Sequence, residues 1–172
     1  MASSVTKTLA LGAALFEGLQ AGVTANRALV LMPAWERLGV IPWATFTRAE
    51  NVGIGALFYP LLGLAALVFT ASAAIAFRLD RAARSSCSFP VYAAVLLAIA
   101  WAIVTRAVLL PLMFGLRDAT TNPAELHRVF LIVARWSGVN DVLHVITFGF
   151  NLWALAAVFS SAGSAPDLSP AS

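Results

Sequence analysis

Charge is scarce in this sequence. Only 11% of its 172 residues are Asp, Glu, Lys or Arg, where a soluble domain carries roughly a quarter. So small a supply cannot cover a water-facing globular surface, so lipid must act as much of the solvent. Cysteine is scarcer still. Cys87 stands alone, which excludes an intramolecular disulfide and a cysteine-based zinc site. The sequence also lacks a haem-attachment cysteine pair, a nucleotide-binding glycine loop and a metalloprotease signature. Eleven Lys and Arg give a net charge of +3 and a pI near 9.8. They are spread thinly and form no basic stripe interleaved with exposed aromatics, which argues against nucleic acid as a partner.

Apolar residues are what the chain has. They make up 60% of it, and the mean hydropathy is +0.86. They gather in four runs, about 9–32, 52–77, 91–113 and 139–159. Each run has at least the ~20 residues needed to cross a bilayer core. The expected fold is therefore all-α, a four-transmembrane-helix bundle. It forms one integral-membrane domain over 1–160, with a disordered tail rich in Ser, Ala and Pro over 161–172. The lipid bilayer is its first partner. A homo-oligomer and a partner subunit both stay open.

Lys7 followed by Leu9–Phe16 imitates the charged and apolar parts of a signal peptide. Glu17 interrupts that run and the apolar pattern resumes to Met32, so an uncleaved first span is expected. Pro33, ill suited to a helix interior, should close it. Residues 33–42 then read as a loop, with Trp35 and Trp43 as interfacial anchors. From Trp43 the pattern reads as helix running into the second span, where Pro60 invites a bend.

The stretch Arg78–Pro90 carries Arg78, Arg81 and Arg84 and is the best cytoplasmic marker. It favours both termini inside a bacterial plasma membrane, although Arg37, Arg48, Arg117, Arg128 and Arg135 fall on the other side. Asn122, Pro123 and Glu125 make a helix start. The helix from there to Phe159 would be about 55 Å long, so it should protrude or break near Gly138. The Arg27–Pro33 and Arg106–Pro111 stretches resemble each other, which suggests two helical hairpins related by a pseudo-two-fold axis.

Two polar stripes cross these apolar runs. Glu17, Gln20, Thr24 and Arg27 are spaced i, i+3, i+7, i+10; Asn140, His144, Thr147 and Asn151 are spaced i, i+4, i+7, i+11. Each set occupies one face of an α-helix. Hydrocarbon cannot solvate these groups, so both faces should turn toward a shared interior.

Glu17 is the deepest. A carboxyl there needs a partner such as His144 or an Arg. It serves as general base or proton relay, or else only as an interhelical hydrogen bond. His144 is the histidine clearly inside a span and the better acid–base candidate. With no His-x-x-His or Glu-x-x-His pair, no metal is expected, and no cofactor is implied. Arg27 and Arg106 either snorkel to the interface or turn inward to pair with Glu50 or Asp141, or to hold an anionic ligand group. Trp136, Asn140 and His144 at i, i+4, i+8 could offer an indole plane and polar groups to a flat ligand. Asn51, next to Glu50, could join them.

On these residues the chain resembles the anthrone oxygenase-like family of small four-helix membrane proteins, much of it a domain of unknown function. The resemblance rests on Met32-Pro33-Ala34, on Thr105 followed by Pro111-Leu112-Met113, and on Trp136-x-x-x-Asn140. Two positions depart from it: Met113 stands where the family has Asn, and Leu143 where it has Arg. The resemblance implies a cofactor-free oxygenase. His144 or Glu17 would be the base, and Asn140, Trp136 and Arg106 would hold an oxyanion. The expected function is thus a small membrane protein with an intramembrane polar pocket for a hydrophobic, aromatic or quinone-like molecule. The alternatives are a small transporter or ligand-binding subunit, and a structural protein that stabilises a partner.

Overall fold

A computed structural model of the chain describes residues 2–80, 88–116 and 122–160, with the side chains of 51 and 52 excepted. Arg81, Arg84, Cys87 and the 161–172 tail lie outside the described residues. The architecture is all-α, and four helices are long and apolar enough to cross a membrane.

The first is α1, Ser4–Asn26. Its cap is local chemistry: the Ser3 hydroxyl accepts the Thr6 backbone N–H at 3.1 Å, filling one of the orphan donors of the first turn. The Ser3 N–H and the Thr6 hydroxyl donate to Asp80 Oδ2 at 2.7 and 3.0 Å, which ties this end of α1 to the end of the helix Gly55–Leu79.

The helix does not stop at Pro33. It passes through a π-helical turn, Arg27–Leu31, into α2, Met32–Leu38. Pro33 has no N–H to give and its ring would collide with the carbonyl four residues back. The wider turn, in which the Met32 N–H reaches the Arg27 carbonyl, absorbs that conflict. The same device recurs in the second half. Here α5, Ser88–Val104, passes through a π turn, Thr105–Leu109, into α6, Leu110–Gly115, around Pro111.

The expected loop over 33–42 is corrected accordingly. It is helix except at Gly39, and α3 starts at Val40 and ends at Val52. Gly39 has φ +93° and ψ 173°, a conformation essentially reserved for glycine. Gly39→Ala should therefore lower stability by about 1–3 kcal/mol in detergent unfolding, although nothing lies within 4 Å of the added methyl group. A turn at Gly53–Ile54 separates α3 from α4, Gly55–Leu79; the two do not run together as the sequence pattern suggested.

The last helix, α7, spans Pro123–Ser160 without a break at Gly138. The Asn122 side chain accepts the Ala124 N–H at 3.0 Å, as a cap should. Its 38 residues make about 57 Å, so its first turns project beyond the apolar layer.

The four long helices close a ring in which α1 packs on α4 and α7, and α5 packs on α4 and α7. Small residues permit the close approaches: Ala13, Ala66 and Ala98 are each no more than 1% exposed. Apolar clusters fill both ends. Ala74, Phe77, Val91, Ala154 and Val158 lie near the start of α1. Trp35, Trp43, Leu116, Leu126, Phe130 and Val133 lie at the other end, where Trp43 meets Phe130 edge-on at 5.1 Å.

Candidate functional site in the bundle interior

The two polar stripes meet inside the ring. Glu17 and His144 are 0% and 2% exposed, and Glu17 Oε1 lies 2.7 Å from His144 Nδ1. A contact of that length holds a hydrogen on the O–N axis, whichever atom carries it. Trp101 packs its ring over the imidazole, centroids 4.5 Å apart and tilted 32°. Gln20 and Thr24 continue the α1 stripe, both buried. Gln20 Nε2 and the indole edge of Trp101 both lie against Gly63, where an added Cβ would meet them at 3.4 and 3.7 Å, ordinary contact distances.

One turn along α7, the polar groups double. The Thr105 hydroxyl donates to Asn140 Oδ1 at 3.2 Å, and Arg27 forms an ion pair with Asp141. Arg27 and Thr105 are the first residues of the two π turns. The two turns thus present their opening side chains to adjacent residues of α7. Asn140 and Asp141 can both be buried because α7 sits between α1 and α5. Arg27 keeps 29% of its side chain exposed against 9% for Asp141, which makes this the mouth of the polar interior. Tyr59 donates to Glu50 Oε1 at 2.6 Å.

In the other direction the column runs past Thr147, which donates to the Leu143 carbonyl at 2.7 Å, to Asn151, which donates to Thr70 at 3.3 Å. A cavity of about 10 Å³ adjoins that last pair, space for one water. Beyond it the cluster of Ala74, Phe77, Ala154 and Val158 closes the interior. Asp141 to Asn151 is ten residues of one helix, about 15 Å, or half a bilayer core of ~30 Å.

The structure therefore brings together Glu17, Arg27, Asn140 and His144. Two expected members are not with them. Arg106 is exposed; Thr105, six residues before Pro111 as Arg27 is before Pro33, opens the second π turn and is the residue that meets α7. Trp136 is 37% exposed and turned off the Asn140 face. Glu50 is engaged with Tyr59 rather than with Arg27, and the Asn51 side chain lies outside the described residues.

Sequence reasoning left out Trp101 and Tyr59. Both sit in apolar runs with no periodic polar signal. Asp141 was named only as a partner, though its place next to Asn140 was a usable sign. Among the described residues, no group of three or more His, Cys, Asp or Glu is arranged to hold a metal ion.

Chemically, the site offers a carboxyl–imidazole pair able to pass a proton along one hydrogen bond. An aromatic face lies over the imidazole, and a guanidinium waits at the mouth to meet negative charge. Compared with protein-family models, with curated proteins and with solved structures, the chain matches none.

Proposed function

We propose that this chain is a small multi-pass membrane protein that takes the polar end of a hydrophobic molecule into a one-sided intramembrane site. One observation carries the reading. The polar column begins at the part-exposed Arg27–Asp141 pair and ends at an apolar plug of Ala74, Phe77, Ala154 and Val158. A transporter needs polar groups on both sides of its site, so the plug favours binding over passage. Glu17 Oε2 and Arg27 Nε have no protein partner, so a bound molecule has polar atoms to meet.

In the enzymatic version of this reading, the Glu17–His144 pair accepts a proton from the bound molecule and Arg27 meets the charge that develops. This is the direction the resemblance to anthrone oxygenase-like proteins implies, with Arg27 and Thr105 taking the place first given to Arg106. Glu17 and His144 are sealed from solvent in this conformation, so a ligand reaches them only when the mouth parts.

The test is purification in mild detergent, followed by mass spectrometry of small molecules carried along. The wild type and Arg106→Ala should retain the same molecule. Arg27→Gln should lose it by about tenfold, the effect of one charge-assisted hydrogen bond. Equal retention in Arg27→Gln, or loss in Arg106→Ala alone, would overturn the assignment of the mouth.

A further inference from the structure

One helix of the bundle is too short to span a membrane. The 13 residues of α3 make about 20 Å, against a bilayer core of ~30 Å. It packs on α2, α4, α6 and α7. Trp43, Ala44 and Thr47 form its inner face, each no more than 3% exposed, while Ile41 and Phe46 face outward. Trp43 and Ala44 join Trp35 of α2 and Leu126, Phe130 and Val133 of α7 in one apolar cluster. Those α7 residues precede Asp141, whereas Ala154 and Val158 of the plug follow it. The helix α3 therefore closes the end of the ring on the Arg27–Asp141 side. Two hydroxyls are buried without a partner on the inward faces of these helices. One is Thr47 of α3; the other is Ser137 of α7, 2% exposed and one turn before Asp141.

A hydroxyl sealed into an apolar contact without a partner costs free energy, and each such exception asks for an explanation. Both costs fall when α3 lifts and water reaches the two groups. The ends of α3 suit that movement. Gly39 holds φ +93° at one end, and the Gly53–Ile54 turn lies at the other. Hinges are a few residues at the ends of elements that absorb a change of φ and ψ. Two polar bonds hold the helix down. Arg48 Nε donates to the Leu116 carbonyl at 2.8 Å, just past α6, and Tyr59 of α4 donates to Glu50 Oε1. Once lifted, Trp43 would still lie at the membrane interface, where an indole is at home. We infer that α3 is a lid over the polar interior, hinged at Gly39 and Gly53–Ile54 and latched by the Arg48–Leu116 and Tyr59–Glu50 bonds. The lid deepens the ligand-binding reading above by naming how the mouth parts. Its movement is measured without any ligand, so lid and ligand can fail separately.

The experiment uses the full chain in mild detergent with Cys87→Ser, so that each protein carries one introduced thiol, and follows its reaction with N-ethylmaleimide. Thr47→Cys probes the inner face of the lid, Ser137→Cys the surface beneath it, and Ala154→Cys the plug at the far end. All three positions are buried, so slow reaction is expected at each. Adding Arg48→Met or Tyr59→Phe should speed the reaction at Thr47→Cys and Ser137→Cys about tenfold, the weight of one hydrogen bond to a charged group. Ala154→Cys should not change. Acceleration at Thr47→Cys alone means that α3 frays without uncovering the interior, and overturns the lid. Equal acceleration at all three positions means that the whole bundle loosens, and overturns it too. So does reaction that neither latch variant changes. Should Ser137→Cys fail to fold, Val133→Cys, in the cluster that Trp43 covers, takes its place under the same criteria.

Discussion

His144→Leu should lower the stability of the bundle in detergent by about 3–5 kcal/mol, the loss typical of removing one partner from a buried acid–base pair. The argument starts from Glu17. It is 0% exposed, its Oε1 is held by His144, and its Oε2 already lacks a partner. Removing the imidazole leaves the whole carboxyl without one, sealed from bulk solvent. Glu17→Leu should cost less, because a buried neutral imidazole is cheaper to leave unpaired than a buried carboxyl. Glu17→Leu with His144→Leu should recover most of the His144→Leu loss, since well-packed apolar replacement of both members of a buried pair is often neutral or better. Thermal unfolding of the four proteins, followed by circular dichroism, completes the cycle. Strictly additive losses would mean the two side chains do not interact.

The second large effect is expected at the mouth. Arg27→Met should destabilise by about 3 kcal/mol, toward the low end of the range for an orphaned buried charge, because the guanidinium is only partly buried by the bundle. Asp141, at 9% side-chain exposure, is the group that suffers. Asp141→Asn should therefore cost less than Arg27→Met, since it leaves the cation at the more exposed position. Exchanging the pair, Arg27→Asp with Asp141→Arg, should restore a large part of the stability lost in either single charge change. No restoration would show that Arg27 is held by something other than Asp141. Unfolding in detergent at low and high salt adds a second check. A pair this buried should respond weakly to added salt.

The spans and the polar faces were legible because both are periodic. Apolar runs of bilayer length read as membrane helices, and the 3.6-residue spacing of Glu17, Gln20 and Thr24, and of Asn140, His144, Thr147 and Asn151, marked the faces that the bundle buries. What failed was everything that depends on a change of period. Pro33 and Pro111 read as helix ends, but a π turn before each lets the helix continue. One extra residue per turn also rotates whatever surrounds it. Arg106 looked equivalent to Arg27 because each precedes an alanine and an apolar run, but Thr105 is the residue that stands as far before Pro111 as Arg27 stands before Pro33, and it is the one equivalent in space. Gly39 was folded into a loop of ten residues when it alone breaks the helix. Trp101 could not have been singled out, since a tryptophan in an apolar run carries no sign of which neighbour it will cover. Two of the three patterns behind the family resemblance border the π turns: Met32-Pro33-Ala34 follows the first directly, and Thr105 and Pro111 flank the second; they bear on how the helices pass their prolines and say nothing of a reaction.

The direct contact of Glu17 with His144 within the bundle interior is the claim on which the site depends, and the sequence makes it unusually accessible. There are only two histidines, so in a His127→Gln background every imidazole signal comes from His144. Solid-state NMR of that protein in lipid bilayers, with labelled imidazole nitrogens and labelled glutamate side chains, measures the distance from His144 Nδ1 to the nearest glutamate carboxyl. A strong dipolar coupling, matching the 2.7 Å hydrogen bond and lost in Glu17→Leu, is the expected result. An imidazole with no glutamate carboxyl coupled to it, or one whose coupling survives Glu17→Leu, would contradict the account.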